Sequence, residues 1–322
     1  MPVEAPSVER IDFPGGSGQS HALRCLLSAT VKVGLQAWVR TQWLPWPYGA
    51  IDHVGRALPP IPGVTHQPTA LPHCAAEIVS PAEPTSGRFI LYLPGGAFYV
   101  GGRYLHRQMV GRFATMLSSS ALHVNYRKLP QHSINDAVAD GVDAYRHLLA
   151  MGIDPDRIVV MGDSAGGYLT FTTALGIRDA GLPMPAALVA ISPLTTCEIS
   201  AKLAAPSART CALFSRSVVT KLHDERVRLN RGEDLVSPAD CRLNGLPPTL
   251  IQASRSEMLY PDAVLMAERL AAAGVQCELQ TWPGQVHVFQ AAAAVVPESA
   301  QAVAEVVDFI DRVVPAVAEL TA

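Results

Sequence analysis

From Arg88 onward, short and almost solidly apolar runs alternate along the chain with longer stretches of helical spacing. The runs Phe89–Leu93, Leu122–Asn125, Ile158–Met161, Leu188–Ser192, Thr249–Ala253 and Cys277–Thr281 read as strands. Arg107–Ser118, Asp136–Ala150, Ala165–Asp179, Ala263–Ala273 and Ser299–Val314 read as the helices between and after them. Strands without polar alternation, separated by helices, predict the α/β class: a mostly parallel sheet covered on both faces. Pro155-Asp156 marks a turn into a buried strand, and Gly274 closes the helix before Val275.

Two segments break this rhythm. Residues 1–65 join an amphipathic stretch to the run Pro59-Pro60-Ile61-Pro62. Residues 195–245 read as short helices between two strands, far longer than the usual αβ connection of about 2–6 residues. Long insertions at the carboxyl side of such a sheet usually form lids. The expected organisation is one core, residues 66–194 and 246–322, under a helical cap built from 1–65 and 195–245.

Composition narrows the function. With 49% hydrophobic and 16% charged residues in 322, a sizeable core is expected and disorder is not. A formal net charge of −3, with the arginines scattered, excludes the dense basic footprint of a nucleic-acid binder. The first residues carry Glu4, Glu9 and Asp12 rather than a basic-then-apolar leader, and Ala22–Trp38 is interrupted by Arg24 and Lys32. Neither a secretory signal nor a membrane span is expected. The cysteines at 25, 74, 197, 211, 241 and 277 show no metal-type spacing and read as reduced thiols. A cytoplasmic protein without a zinc site is therefore expected, with cell-envelope association as the variant.

The chemistry is concentrated at Gly162-Asp163-Ser164-Ala165-Gly166-Gly167, where a strand meets a helix. In that context G-x-S-x-G reads as a nucleophile elbow, with Ser164 on a sharp turn above a helix N-terminus. The plainer reading is a glycine-rich turn with a helix-capping serine. A serine needs a base oriented by an acid, and in this architecture the chain order is Ser, acid, His. Of ten histidines only His287 lies beyond residue 223, in a loop after the last strand. It is the candidate base. Two acids precede it: Glu257, in the turn after Thr249–Ala253, and Asp262, just past Pro261. A first-turn Asp262 is explained by the helix dipole alone, so Glu257 is preferred. Leu93-Pro94-Gly95-Gly96-Ala97-Phe98 follows the first strong strand, where amide donors for a tetrahedral oxygen belong.

Pro94-Gly95-Gly96-Ala97-Phe98 and Gly162-Asp163-Ser164-Ala165-Gly166-Gly167 resemble the paired H-G-G-G and G-D-S-A-G-G motifs of hormone-sensitive-lipase-like carboxylesterases. The likeness extends through Tyr126-Arg127-Lys128-Leu129-Pro130 and Asp154-Pro155-Asp156-Arg157 to Pro283-Gly284-Gln285-Val286-His287, covering roughly residues 88–315. The resemblance implies an α/β-hydrolase fold, no cofactor, and hydrolysis of short- to medium-chain acyl esters. By motif position it implies Ser164 as nucleophile, His287 as base, and the N–H groups of Gly96, Ala97 and Ala165 as oxyanion donors. The family acid stands 30 residues before its histidine, and 287 − 30 = 257 points to Glu257.

Two departures carry expectations. Pro94 replaces the family histidine, so a rigid φ is expected to take over any bracing that side chain provides. Ala97 replaces the third glycine, and its methyl is expected to narrow the alcohol side of the site. Trp38, Trp43 and Trp46, beside Pro45, Pro47 and Tyr48, read either as packing of cap on core or as a weak lipid-surface contact of an interfacial lipase. An amidase or formamidase would use the same triad. A non-catalytic binding protein on the same fold is the alternative of another class, against which the retained His287 weighs. The expected partner is a small ester; homo-oligomerisation is left open.

Overall fold

The pentapeptide Phe89–Leu93 (β4) is buried at every position, because both faces of the sheet around it are covered. In the computed structural model, which describes residues 8–230 and 232–317, it lies in a nine-stranded sheet ordered β1-β9-β8-β7-β6-β4-β5-β3-β2. The other strands are β1 (Glu9–Asp12), β2 (Thr65–Ala70), β3 (Ala75–Ser80), β5 (Ser120–Asn125), β6 (Ile158–Asp163), β7 (Ala187–Ile191), β8 (Thr249–Ser254) and β9 (Cys277–Trp282). All pairings are parallel except β2–β3 and β3–β5. This is the α/β-hydrolase architecture expected from the sequence.

Strand alternation feeds two cores. Leu91, Leu93 and Val160 meet Tyr145, Leu169 and Met266 on one face, while Ile90, Tyr92 and Met161 meet Val110, Phe113 and Ile310 on the other. Helices α5 (Ile134–Ala150), α6 (Ala165–Asp179) and α10 (Tyr260–Ala272) supply the first set; α4 (Arg107–Met116) and α11 (Pro297–Val313) supply the second.

The cap helices lie in two separate segments of the chain. The N-terminal one contributes α1 (Gly18–Ala29), α2 (Val31–Arg40) and α3 (Tyr48–Ile51); the insertion contributes α7 (Ser200–Ala204), α8 (Ser207–Thr210) and α9 (Arg216–Leu229). Ser17 caps α1 by accepting the Ser20 N–H at 3.1 Å and donates its own hydroxyl to Glu298 on α11 at 2.7 Å. Helix α2 packs on α9, and Lys32 Nζ donates to the Cys211 carbonyl at 2.7 Å.

The sequence pattern missed β1, β2 and β3. The first is a four-residue edge strand, Glu-Arg-Ile-Asp, so part of the segment expected as cap belongs to the sheet. The second carries Pro68 and is mostly exposed, as an edge strand tolerates. Residues 1–7 of the expected N-terminal cap, Arg231 of the second cap segment and 318–322 of the core lie outside the described residues.

Candidate active site

Strand β6 runs straight into α6 through Ser164, held at φ 55°, ψ −115°. A non-glycine residue at that backbone position is strained, and strain of this kind gathers at functional sites. The turn closes only because nothing projects from its flanks. A Cβ on Gly162 would lie 2.5 Å from both the Gly166 and Leu93 carbonyl oxygens, and one on Gly166 would run into Leu93 O. The Ser164 N–H is tied to Ile191 O at 2.8 Å, which fixes the elbow to β7.

Three distant side chains meet there. His287 Nε2 lies 2.8 Å from Ser164 Oγ, and its Nδ1 lies 2.5 Å from Glu257 Oε2. Glu257 is wholly buried, and its other oxygen accepts the Ser254 N–H at 2.8 Å. Two contacts hold the His287 loop in place: Ser254 Oγ donates to Gln285 O at 2.7 Å, and the Val288 N–H donates to Ser192 Oγ at 3.2 Å. From the cap, the Phe214 ring meets the imidazole edge-on at 5.1 Å between centroids. Ser164 and His287 remain 9% and 8% exposed, a sheltered but reachable pair.

Asp262, the other acid considered, is placed elsewhere. Its carboxylate lies 2.9 Å from Lys202 Nζ and accepts the N–H groups of Thr195 and Thr196 at 2.8 and 3.1 Å. That buried pair ties the cap insertion to α10; burial pushes the Asp262 carboxyl above its ordinary value despite Lys202.

The loop after β4 turns its amides with three consecutive positive φ angles: Gly96 at 120°, Ala97 at 55° and Phe98 at 66°. A Cβ on Gly96 would strike the Val100 carbonyl, so glycine is required there. Ala97 enters the left-handed region, at a cost of about 1–2 kcal/mol for an L-residue. The N–H groups of Gly96, Ala97 and Ala165 have no protein acceptor among the described residues.

Neighbouring side chains brace this loop. Tyr126 donates its hydroxyl to Pro94 O at 2.7 Å, and Asp163 Oδ1 accepts both the Gly95 N–H at 3.0 Å and the Tyr92 hydroxyl at 2.7 Å. Asp163 Oδ2 faces His106 Nε2 at 3.4 Å. Burial alone would raise the Asp163 carboxyl, but the nearby His106 and these hydrogen bonds hold it below its ordinary value. Sequence reasoning passed over Asp163 as the variable residue of its motif. The clue available was a carboxylate at the end of a buried strand.

Two cavities flank Ser164. One, about 50 Å³, is bounded by Ala97, Phe98, Ala165 and cap residues including Phe214, Leu222 and Arg226. The other lies on the His287 side, against Leu27, Leu35, Val286 and Val288. Ala97 borders both. Trp38 is buried, donates to the Tyr48 hydroxyl at 2.9 Å and meets the Tyr99 ring edge-on, packing cap against the loop; Trp43 is 80% exposed. Among the described residues, no cluster of three His, Cys, Asp or Glu is placed to hold a metal ion. No helix among them is long and apolar enough to cross a membrane.

Comparison with known proteins identifies the fold family. A family model described as an alpha/beta hydrolase fold matches residues 90–291. Esterase LipU of Mycobacterium tuberculosis is 40% identical over 278 residues, spanning 83% of this chain and 93% of that protein. Carboxylesterase/phospholipase LipF of the same organism is 39% identical over 278 residues, spanning 83% of this chain and 74% of its own. Among solved structures, a hormone-sensitive lipase from a metagenome library superposes with a TM-score of 0.81 at 30% identity, covering 92% of this chain and 98% of that one.

Proposed function

Because this chain belongs to the hormone-sensitive-lipase-like esterases of the α/β-hydrolase fold, we propose that it is a serine carboxylic-ester hydrolase cleaving short- to medium-chain acyl esters through an acyl-enzyme. One observation carries this reading: the hydrogen-bonded run Glu257–His287–Ser164 ends beside amides that lack an acceptor among the described residues. A carboxylate can only accept, so Glu257 fixes the proton of His287 on Nδ1 and leaves Nε2 free to take the Ser164 proton. Ser164 Oγ attacks the ester carbonyl while the N–H groups of Gly96, Ala97 and Ala165 hold the oxyanion, each such donor being worth about 2.7–4 kcal/mol. His287 then protonates the departing alcohol, and water activated the same way releases the acid.

The leaving oxygen must face Nε2, so the alcohol occupies the His287-side cavity and the acyl group the cavity walled by Phe214, Leu222 and Arg226. At about 50 Å³ the latter is small, which favours short acyl chains. The test is a series of acyl esters from acetyl to palmitoyl on the purified protein, with Ser164→Ala alongside. Activity should peak at short to medium chains and fall by several orders of magnitude in the variant. A maximum at palmitoyl, or an active Ser164→Ala enzyme, would contradict the proposal.

An interfacial reading draws on exposed apolar side chains of the N-terminal cap, Leu26, Val33 and Trp43, and on the phospholipase in the name of LipF. A jump in rate once ester concentration passes the solubility limit would favour it. Amide substrates tested in the same assay separate an amidase from an esterase.

A further inference from the structure

The acyl cavity contains a charge that the ester chemistry does not use. Its lining is largely apolar, with Leu194, Val219, Leu222 and Leu259, but includes Lys202 and Arg226. Lys202 is satisfied: besides Asp262, its ammonium donates to Thr196 O at 2.8 Å and Glu198 O at 2.6 Å. Arg226 is not. It sits in the last turn of α9, only 7% exposed, and its guanidinium forms no ion pair among the described residues. Its one acceptor is the Leu222 carbonyl of its own helix, reached by Nε at 3.2 Å. The carboxylate it senses is Asp262, already held by Lys202 and two backbone amides. Two hydroxyls that sense the same charge, Tyr168 and Tyr99, are themselves buried without a hydrogen-bond partner.

A guanidinium carries five N–H donors and stays ionised, so burying it without an anion is costly. An unpaired guanidinium in a cleft beside a nucleophile is placed to pair with an anionic group of the substrate. We propose that Arg226 binds a carboxylate at the distal end of the acyl group, so that the favoured substrates are half-esters of short dicarboxylic acids. The inference rests on the esterase reading above and names its substrate class. The cavity places Arg226 in one small enclosure with Ser164, which limits the chain between ester and carboxylate to a short one. The reaction is unchanged: water and half-ester give alcohol and dicarboxylate, and the distal carboxylate stays ionised throughout.

The experiment compares kcat/KM for monoethyl succinate with that for ethyl 4-methylpentanoate, a neutral ester of the same shape and leaving group, by following ethanol release. Wild-type enzyme should favour the half-ester by about tenfold or more, the range of a charge-assisted contact. Arg226→Met should bring that ratio below one, and Arg226→Lys should keep part of it. Arg226→Gln, which retains donors without charge, takes the place of the Met variant if that one does not fold. A merely structural arginine at a helix C-terminus would lower both rates together and leave the ratio where it was. A wild-type ratio of one or less, or a ratio untouched by the substitutions, overturns the inference. Hydrolysis of neither ester, nor of p-nitrophenyl butyrate, would instead remove the esterase reading beneath it.

Discussion

Replacing Glu257 by glutamine tests the proton logic of the site, because the two side chains have nearly the same shape. The buried carboxylate makes two contacts: Oε2 with His287 Nδ1 at 2.5 Å, and Oε1 with the Ser254 N–H at 2.8 Å. In the glutamine variant only one amide orientation satisfies Ser254, with the oxygen toward its N–H and the NH₂ toward Nδ1. Nδ1 must then accept, the ring proton moves to Nε2, and His287 becomes a donor to Ser164 instead of its base. The reverse orientation sets NH₂ against a buried N–H, costing about 1–3 kcal/mol, or roughly 5- to 150-fold in population. Both orientations also lose the anion that stabilises the imidazolium. The equivalent exchange in a serine protease lowers kcat about 10⁴-fold, or about 5.4 kcal/mol in barrier. The assay is kcat on p-nitrophenyl butyrate near pH 7.5, with thermal denaturation as the check on folding. A folded Glu257→Gln enzyme retaining more than about a tenth of wild-type kcat would refute the reasoning.

Three other changes probe the scaffold. Gly166→Ala drives a Cβ into the Leu93 carbonyl, a backbone atom with no freedom to move aside, and should cost about 3 kcal/mol or more; a melting temperature within about 2 °C of wild type would contradict this. Asp163→Asn removes a carboxylate whose folded pKa lies below the ordinary 3.8, so its stabilising contribution is present above about pH 4 and is lost as pH falls through the folded value. Urea titrations should therefore show a stability gap between wild type and variant at pH 7 that closes in acid, and a gap independent of pH would be the wrong result. Ala97→Gly relieves a left-handed alanine that borders the alcohol-side cavity, and should widen acceptance of bulky alcohols relative to ethyl esters. Unchanged alcohol selectivity would refute it.

Much of this was legible in the chain because the strongest signals were buried on both sides. β4, β6, β7, β8 and β9 are runs with every residue buried, and such runs need no partner to be recognised. β1 and β2 are edge strands with exposed positions, and β3 carries the buried Glu77 within Ala-Ala-Glu-Ile-Val-Ser, so their identity comes from neighbours rather than pattern. In the site, chain order singled out His287, whereas Glu257 and Asp262 differ by only five positions. What separates them in space is a lysine from the cap, Lys202, that engages one and not the other. Asp163 and Arg226 were illegible for the same reason: a carboxylate bracing a loop, or a guanidinium lacking a partner, is defined by contacts made across the fold.

The central claim is that Ser164 is an activated nucleophile, and a fluorophosphonate probe measures this directly. Intact and peptide mass spectrometry should find one adduct per chain, on Ser164, forming at least about a thousandfold more slowly after His287→Ala. A protein that stays unlabelled, carries the label on another residue, or reacts equally fast without His287 would contradict the account.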